Sequence, residues 1–238
     1  MKKPLKLVLL GLALSILSVL GYFSVVILQA RRETPKLIGQ ALSAGMALKV
    51  SDLSPWQRRA LLAVEDPGFY RHHGVDLKTP GAGLTTITQG LVKMYYFAHF
   101  KPGIAKIKQT LIARFALDPL VSKNDQLTLF INRINLGSVE GIPVNGFAAA
   151  ARTYYHKTVT ELSEYEYLSL VAMIVAPQNF HLVARPAANA ERTRRLARVV
   201  SGEYRPRQLM DIYYGKLNAE TRRGLAPASY FPGIYERP

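Results

Sequence analysis

From Leu7 to Ala30 the chain reads LVLLGLALSILSVLGYFSVVILQA, without one charged residue. A helix of about 24 residues, rising about 1.5 Å per residue, is long enough to cross a hydrocarbon core of roughly 30 Å. A cleavable leader has a shorter apolar stretch and a small-x-small exit, whereas this run leaves through ILQARRE. The expectation is an uncleaved membrane anchor. Lys2, Lys3 and Lys6 precede it and Arg31, Arg32 and Lys36 follow it, so the positive-inside bias is nearly balanced. A long C-terminal domain can translocate despite its charge, which favours a cytoplasmic N-terminus and an external domain.

The remainder of the 238 residues suffices for one domain with its own core, and 49% hydrophobic residues argue against disorder. The absence of cysteine excludes disulfides, thiolate chemistry and sulfur-ligated zinc. Lysines and arginines number 31 against 16 acidic residues, which points to an anionic partner: nucleic acid, anionic lipid or a phosphate-bearing substrate. The anchor argues against nucleic acid.

Helix punctuation runs through most of the chain. Residues 1–30 form the stub and anchor, and 31–50 read as a polar, basic juxtamembrane connector. Ser54 caps a helix with Pro55 at its first position, and Pro67 stops it beyond Glu65. Thr85 or Thr86 caps a second helix, whose end is rich in aromatics: Met94, Tyr95, Tyr96, Phe97 and Phe100. These pack in a core or lie at a membrane surface. Ile104, Ile107, Leu111, Ile112 and Phe115 mark an amphipathic helix with a basic face. Ser122 and Asp125 start another, which is expected to stop at Gly137. Ser163 and Glu166 form a capping box ahead of Pro177, and 187–200 form a last helix. No period-two run is long enough to read as a strand, so the fold class is all-α. The folded domain spans 51–200, and 201–238 form a basic C-terminal segment of unassigned role.

The chemistry concentrates in LLAVEDPGFYRHHGVD, Leu61 to Asp76. Glu65 lies at a helix end, where the negative end of the helix dipole pushes a carboxyl pKa upward and suits it to act as a base or acid. On that feature alone, a surface carboxylate paired with Arg58, Arg59 or Arg71 explains it better. His72 and His73 are adjacent, so their side chains diverge, and no third metal ligand has suitable spacing. The whole pattern is Glu65-Asp66-x-x-Phe69-x-x-His72-x-Gly74, and it resembles the first motif of the family-51 peptidoglycan glycosyltransferases. GLTTITQGLVKM, Gly83 to Met94, resembles that family's second motif through Thr86, Thr88, Gln89 and Lys93. LTLFINRINLG matches a further segment at Leu129, Asn132 and Gly137, and the stretch from Gly146 to Phe180 resembles the two helices that follow. The resemblance covers about Leu53 to Pro186.

The resemblance implies a lysozyme-like, all-α domain on the outer face of the bacterial cytoplasmic membrane. Such enzymes polymerise lipid II, a lipid-linked disaccharide–pentapeptide. Glu65 would be the base on the acceptor 4-hydroxyl, with Asp66 beside it in the catalytic pair. Phe69, His72, Thr86, Gln89, Lys93, Lys106, Asn132 and Arg133 would bind substrate. Lys93, with Lys106 or Arg133, is suited to the leaving diphosphate, where a divalent cation, Mg2+ or Mn2+, could also sit. The other partners implied are the growing glycan chain and, because the sequence stops too soon for a penicillin-binding domain, a separate transpeptidase.

Departures accompany the match. Leu84, Gly90 and Met94 stand where the second motif has glycine, glutamine and asparagine. In the third motif Lys106 and Ile107 stand for the arginine–lysine pair, and Thr110 replaces a glutamate; no Glu lies between Met94 and Asn132. Three readings follow: a divergent glycosyltransferase, an impaired relative that binds lipid-linked precursor or synthases as a scaffold, and a lysozyme-like glycan hydrolase. The last gives no reason for Lys93.

Overall fold

A computed structural model describes residues 3–216. Helix α1 runs unbroken from Lys3 to Ser43. Its first part is bare on every side, with Leu7, Val8, Leu14, Leu17 and Leu28 all exposed, whereas Ala30, Thr34, Ile38 and Ala41 are buried against the domain. The helix thus changes solvent along its length. The 31–50 stretch continues it to Ser43 and then carries a short 3-10 turn, Val50–Asp52, so most of the connector is docked helix.

The domain is a cluster of short helices: α2 Pro55–Glu65, α3 Ile87–Tyr96, α4 Ile104–Ile112, α5 Asp118–Leu120, α6 Lys123–Arg133, α7 Phe147–Tyr155, α8 Glu164–Met173 and α9 Pro186–Val200. The caps read from the sequence are in place. Ser54 accepts the Gln57 N–H, Thr86 that of Gln89, Ser122 that of Asp125 and Ser163 that of Glu166. The core is shared by Leu61 and Val64 of α2, Leu91 and Val92 of α3, Leu127 and Ile131 of α6, and Tyr167, Leu170 and Val171 of α8. Phe147 stacks on Tyr167 at 5.2 Å between centroids. The all-α, lysozyme-like architecture expected from the sequence is the one found.

Two local readings change and one open alternative is decided. Helix α6 stops at Arg133, not Gly137, and a hairpin follows, β1 Asn135–Val139 antiparallel to β2 Ile142–Asn145. Asn135 explains the switch, because its side chain bonds the Gly137 N–H, at 3.2 Å, and Asn145 Oδ1, at 3.0 Å, in place of a helical turn. Gly137 has φ 88°, in the left-handed region that glycine permits, at the irregular register between Asn135 and Ser138. The aromatic end of α3 is core: Met94 and Tyr95 are buried, and the Tyr96 hydroxyl meets Thr34 on α1. The apolar side of α4 is only partly covered, however: Ile112 is buried and Leu111 half-buried. Ile104, Ile107 and, in the π-helical turn Ala113–Leu117 that follows, Phe115 are exposed, while Gln109 is buried and donates to Gln89 O at 2.6 Å. Amphipathic spacing identified two faces but not which one the domain would cover.

Candidate active site

The end of α2, the loop from Gly81 into α3, the start of β1, the end of α8, α9 and the segment after α9 enclose a cleft of about 440 Å³. Glu65 is the only carboxylate among its lining residues, beside Thr86, Lys93, Asn135, Arg192 and Tyr213. As the last residue of α2, Glu65 is aimed by the break at Asp66, which leaves the helical region at φ −160°. The residue is half-buried, and its carboxylate makes no hydrogen bond among the described residues. Burial pushes its pKa up from 4.5 to about 7, Asp66 adds to the rise, and Arg192 opposes it. At neutral pH such a group takes and releases protons readily.

Asp66 was grouped with Glu65 as catalytic, and its position corrects this. It is fully buried and absent from the cleft lining. His72 Nε2 donates to both its oxygens, at 2.9 and 3.0 Å, and the Ile87 N–H at the head of α3 donates to Oδ2 at 2.9 Å. A carboxylate at a helix N-terminus is favoured by the exposed N–H groups and dipole there. Asp66 therefore ties the first motif to the second and fixes the chain next to Glu65.

The second motif is bound into the same frame. Thr86 Oγ1 donates to Gly74 O at 2.7 Å, and Thr86 and Gln89 close a reciprocal capping box. Gly74 has φ 82°, and a Cβ there would sit 2.4 Å from Ala113 O, so only glycine lets this loop pass. Lys93 lines the cleft, with its ammonium 5.5 Å from the Phe100 ring centre. Lys106 reaches the rim of the cleft, donating to Leu84 O and Thr85 Oγ1 at 3.1 and 2.9 Å. Burial lowers both lysine pKa values, and Lys93 lowers that of Lys106 further.

Thr110 lies on this side. It accepts from Gln89 Nε2 at 3.0 Å and donates to Lys106 O at 2.9 Å. The position that carries a glutamate in the resembling family is here a neutral, hydrogen-bonded filler.

The other expected substrate-binding residues are not at the cleft. Phe69 is buried in the core, with the Lys123 ammonium 4.6 Å from its ring centre. His72 is turned to Asp66. Gln89 is buried and engaged by Thr86 and Thr110. Asn132 holds the Leu48 backbone through both its donor and its acceptor, at 2.7 and 3.0 Å. Arg133 stacks 5.1 Å from the Tyr95 ring centre. Polar residues in a motif serve the frame as often as the ligand, because buried backbone must be satisfied.

Two parts of the site were not anticipated. Arg192 is 4% exposed and lines the cleft. It shares the buried stripe of α9 with Asn189, Thr193 and Leu196, and an arginine on an apolar stripe is a legible signal. The other is the stretch 206–214, part of the segment left without a role. Its carbonyls at Gln208 and Leu209 accept from the Gly81 and Gly83 N–H groups, both at 2.9 Å. Met210, Ile212 and Tyr213 line the cleft, and the Tyr214 hydroxyl donates to Val64 O at 2.9 Å. Residues 217–238 of that segment lie outside the described ones.

A protein-held divalent cation does not fit. No cluster of three His, Asp or Glu side chains suited to a metal occurs among the described residues. The cleft opposes its single carboxylate with Lys93 and Arg192.

Comparison with known proteins supplies the class to which this fold and cleft belong. Residues 36–201 match the Transglycosylase family, and the chain belongs to it. It is 32% identical over 158 residues to penicillin-binding protein 1F of Bacillus subtilis, 61% of this chain and 21% of that one. To penicillin-binding protein 1A of Escherichia coli it is 30% identical over 176 residues, 68% of this chain and 20% of the relative. Penicillin-binding protein 1A of Neisseria gonorrhoeae is 31% identical over 151 residues, 58% and 18% of the two chains. The chain thus spans about a fifth of the length of these relatives.

Proposed function

We propose that the protein is a membrane-anchored peptidoglycan glycosyltransferase that polymerises lipid II. The observation that carries this reading is the Glu65 carboxyl, raised to about 7 in a cleft that also holds Lys93. Glu65 removes the proton from the acceptor 4-hydroxyl, and the oxygen attacks the anomeric carbon of the growing chain. The bond from that carbon to the diphosphate oxygen breaks, and polyprenyl diphosphate departs. One displacement inverts the α-linked donor to a β-linkage. A base and a stabilised leaving group suffice for it. Lys93 and Lys106 supply the positive charge for the diphosphate, so no protein-held metal is required, although a cation could enter with the substrate. Asp66 and His72 act as the frame that aims Glu65.

The bilayer supplies the remaining context. Residues 4–43 include an apolar stretch long enough to cross a membrane. Lys108 lies 5.1 Å from the Tyr22 ring centre of α1, and Arg31 of α1 donates to Phe115 O. The exposed Ile104, Ile107 and Phe115 therefore lie beside the emerging anchor and suit a surface dipping among headgroups. This supports a catalytic domain lying at the membrane surface; the outer face and a separate transpeptidase for cross-linking follow from the proposed substrate, not from this surface.

The neutral Thr110 favours one other reading, in which the cleft binds lipid II without turning it over. Polymerisation of labelled lipid II by the detergent-solubilised full chain decides between them. Glycan chains from wild type and none from Glu65→Gln support the enzyme; binding without chains supports the scaffold. Cleavage of finished glycan strands instead would revive the hydrolase.

A further inference from the structure

The polar group packed behind Glu65 is not one of the sequence motifs. Arg192 projects from α9, where Nε donates to Ala172 O at 3.1 Å and Nη1 to Ile212 O at 3.2 Å. The first carbonyl belongs to the last turn of α8, where the helix dipole is negative and favours a cation. The rings of Phe180, Tyr213 and Tyr214 surround the guanidinium at 5.2, 5.8 and 5.9 Å. Burial lowers the Arg192 pKa and Glu65 opposes that fall; arginine's ordinary pKa is so high that the guanidinium is a cation at neutral pH. The cation is thus locked from three sides, and its field acts on Glu65, which lines the same cleft.

The stretch 206–214 completes the lock. It provides the Ile212 carbonyl and two of the rings to Arg192, and its Tyr214 hydroxyl holds Val64 O, one residue before Glu65. One strap therefore grips both members of an opposite-charge pair.

We propose that Arg192, held by the 206–214 strap, is a positioning residue that keeps the Glu65 carboxylate available as a base near neutral pH. The inference rests on the glycosyltransferase reading for its purpose, but not for its test. The groups bearing on Glu65 are Arg192 from α9, Asp66 from its own turn, Tyr214 from the strap and, across the cleft, Lys93 from α3. Burial and Asp66 push the Glu65 pKa upward, and the Arg192 charge opposes them. Without it, Glu65 would hold its proton to higher pH.

The experiment measures stability against pH for wild type, Arg192→Met and Arg192→Lys, each with and without Glu65→Gln, in the full detergent-solubilised chain. The pH at which Glu65 begins to cost stability relative to Glu65→Gln reports its titration whether or not the protein turns over. Arg192→Met is expected to move that midpoint up by about one pH unit or more, tenfold in proton affinity, and Arg192→Lys to restore most of it. The rising limb of polymerisation against pH is expected to move with it. If Arg192→Met lowers stability equally in both backgrounds and leaves the midpoint in place, Arg192 only packs the fold and the proposal falls. Should that variant not fold, Arg192→Gln, which keeps a donor for the Ile212 carbonyl, makes the same comparison. A wild type that polymerises nothing at any pH overturns the glycosyltransferase reading, while the stability midpoint still decides Arg192.

Discussion

The two sides of α3 handle charge in opposite ways. On the α2 side, Glu65 and Asp66 are neighbours in sequence with opposite fates. Asp66 is saturated by His72 and the head of α3, while Glu65 carries no hydrogen bond and a raised proton affinity. On the α4 side, Gln89 donates to Thr110 without charge, and Lys93 lines the cleft while Lys106 reaches its rim. One side sets an unbonded carboxyl beside a fully bonded one; the other sets lysines over a neutral backing. The contrast shows that a base is made by withholding partners, whereas a frame is made by supplying them.

Neutralising the first side is expected to have the largest effect. Glu65→Gln should lower lipid II polymerisation by about 10³-fold, within the range for general-base catalysis; initial rates at pH 7 measure it. Retention of most activity would place the base elsewhere. Asp66→Ala removes the shared acceptor of His72 Nε2 and the Ile87 N–H, and leaving such buried donors unsatisfied costs about 3 kcal/mol. A chemical denaturation midpoint reads that loss, and an unchanged midpoint would show that the two motifs hold together without it.

The third prediction concerns the pH window. The folded pKa of Glu65, about 7, exceeds its ordinary 4.5, so the native state binds the proton more tightly than the unfolded chain. Its stabilising contribution is full below 4.5 and lost as pH rises through about 7. Glu65→Gln should therefore be the more stable protein at pH 8, by up to about 3 kcal/mol, and show no such gain at pH 4. Thermal melts at the two pH values test the sign. The wild-type rate should rise through the same window, because the base acts when deprotonated.

On the other side of α3, Thr110→Glu is expected to raise polymerisation about tenfold, equivalent to about 1.4 kcal/mol of barrier, by restoring a carboxylate beside the cationic surface. No gain would show that the neutral backing is complete as it stands. The smallest change is Thr110→Val, which leaves the buried Gln89 amide without its acceptor at a cost of about 1 kcal/mol. An equilibrium unfolding curve resolves it.

Much of this organisation was legible in the residues. Ser54, Thr86, Ser122 and Ser163 announce helix starts through local chemistry, and Pro67 announces the stop that exposes Glu65. The apolar length of the anchor is equally local. Such signals are readable because a cap or a proline acts on atoms within about four residues of itself. Asn135 was misread because its competing bonds run partly to Asn145, across a hairpin that no window on α6 contains. Gln89 and Asn132 were assigned to substrate because polarity in a motif does not tell a ligand contact from a buried brace.

The sequence by itself determined the helix starts, the long apolar N-terminal helix and the family, and it singled out Glu65. The tertiary structure alone decided the environment that makes Glu65 basic. Arg192, 127 residues from Glu65 by the difference of their numbers, comes to it only when α9 packs on α2, and the 206–214 strap closes over both. Proton affinity depends on burial and on nearby charge, and these are distances in space that position along the chain does not encode.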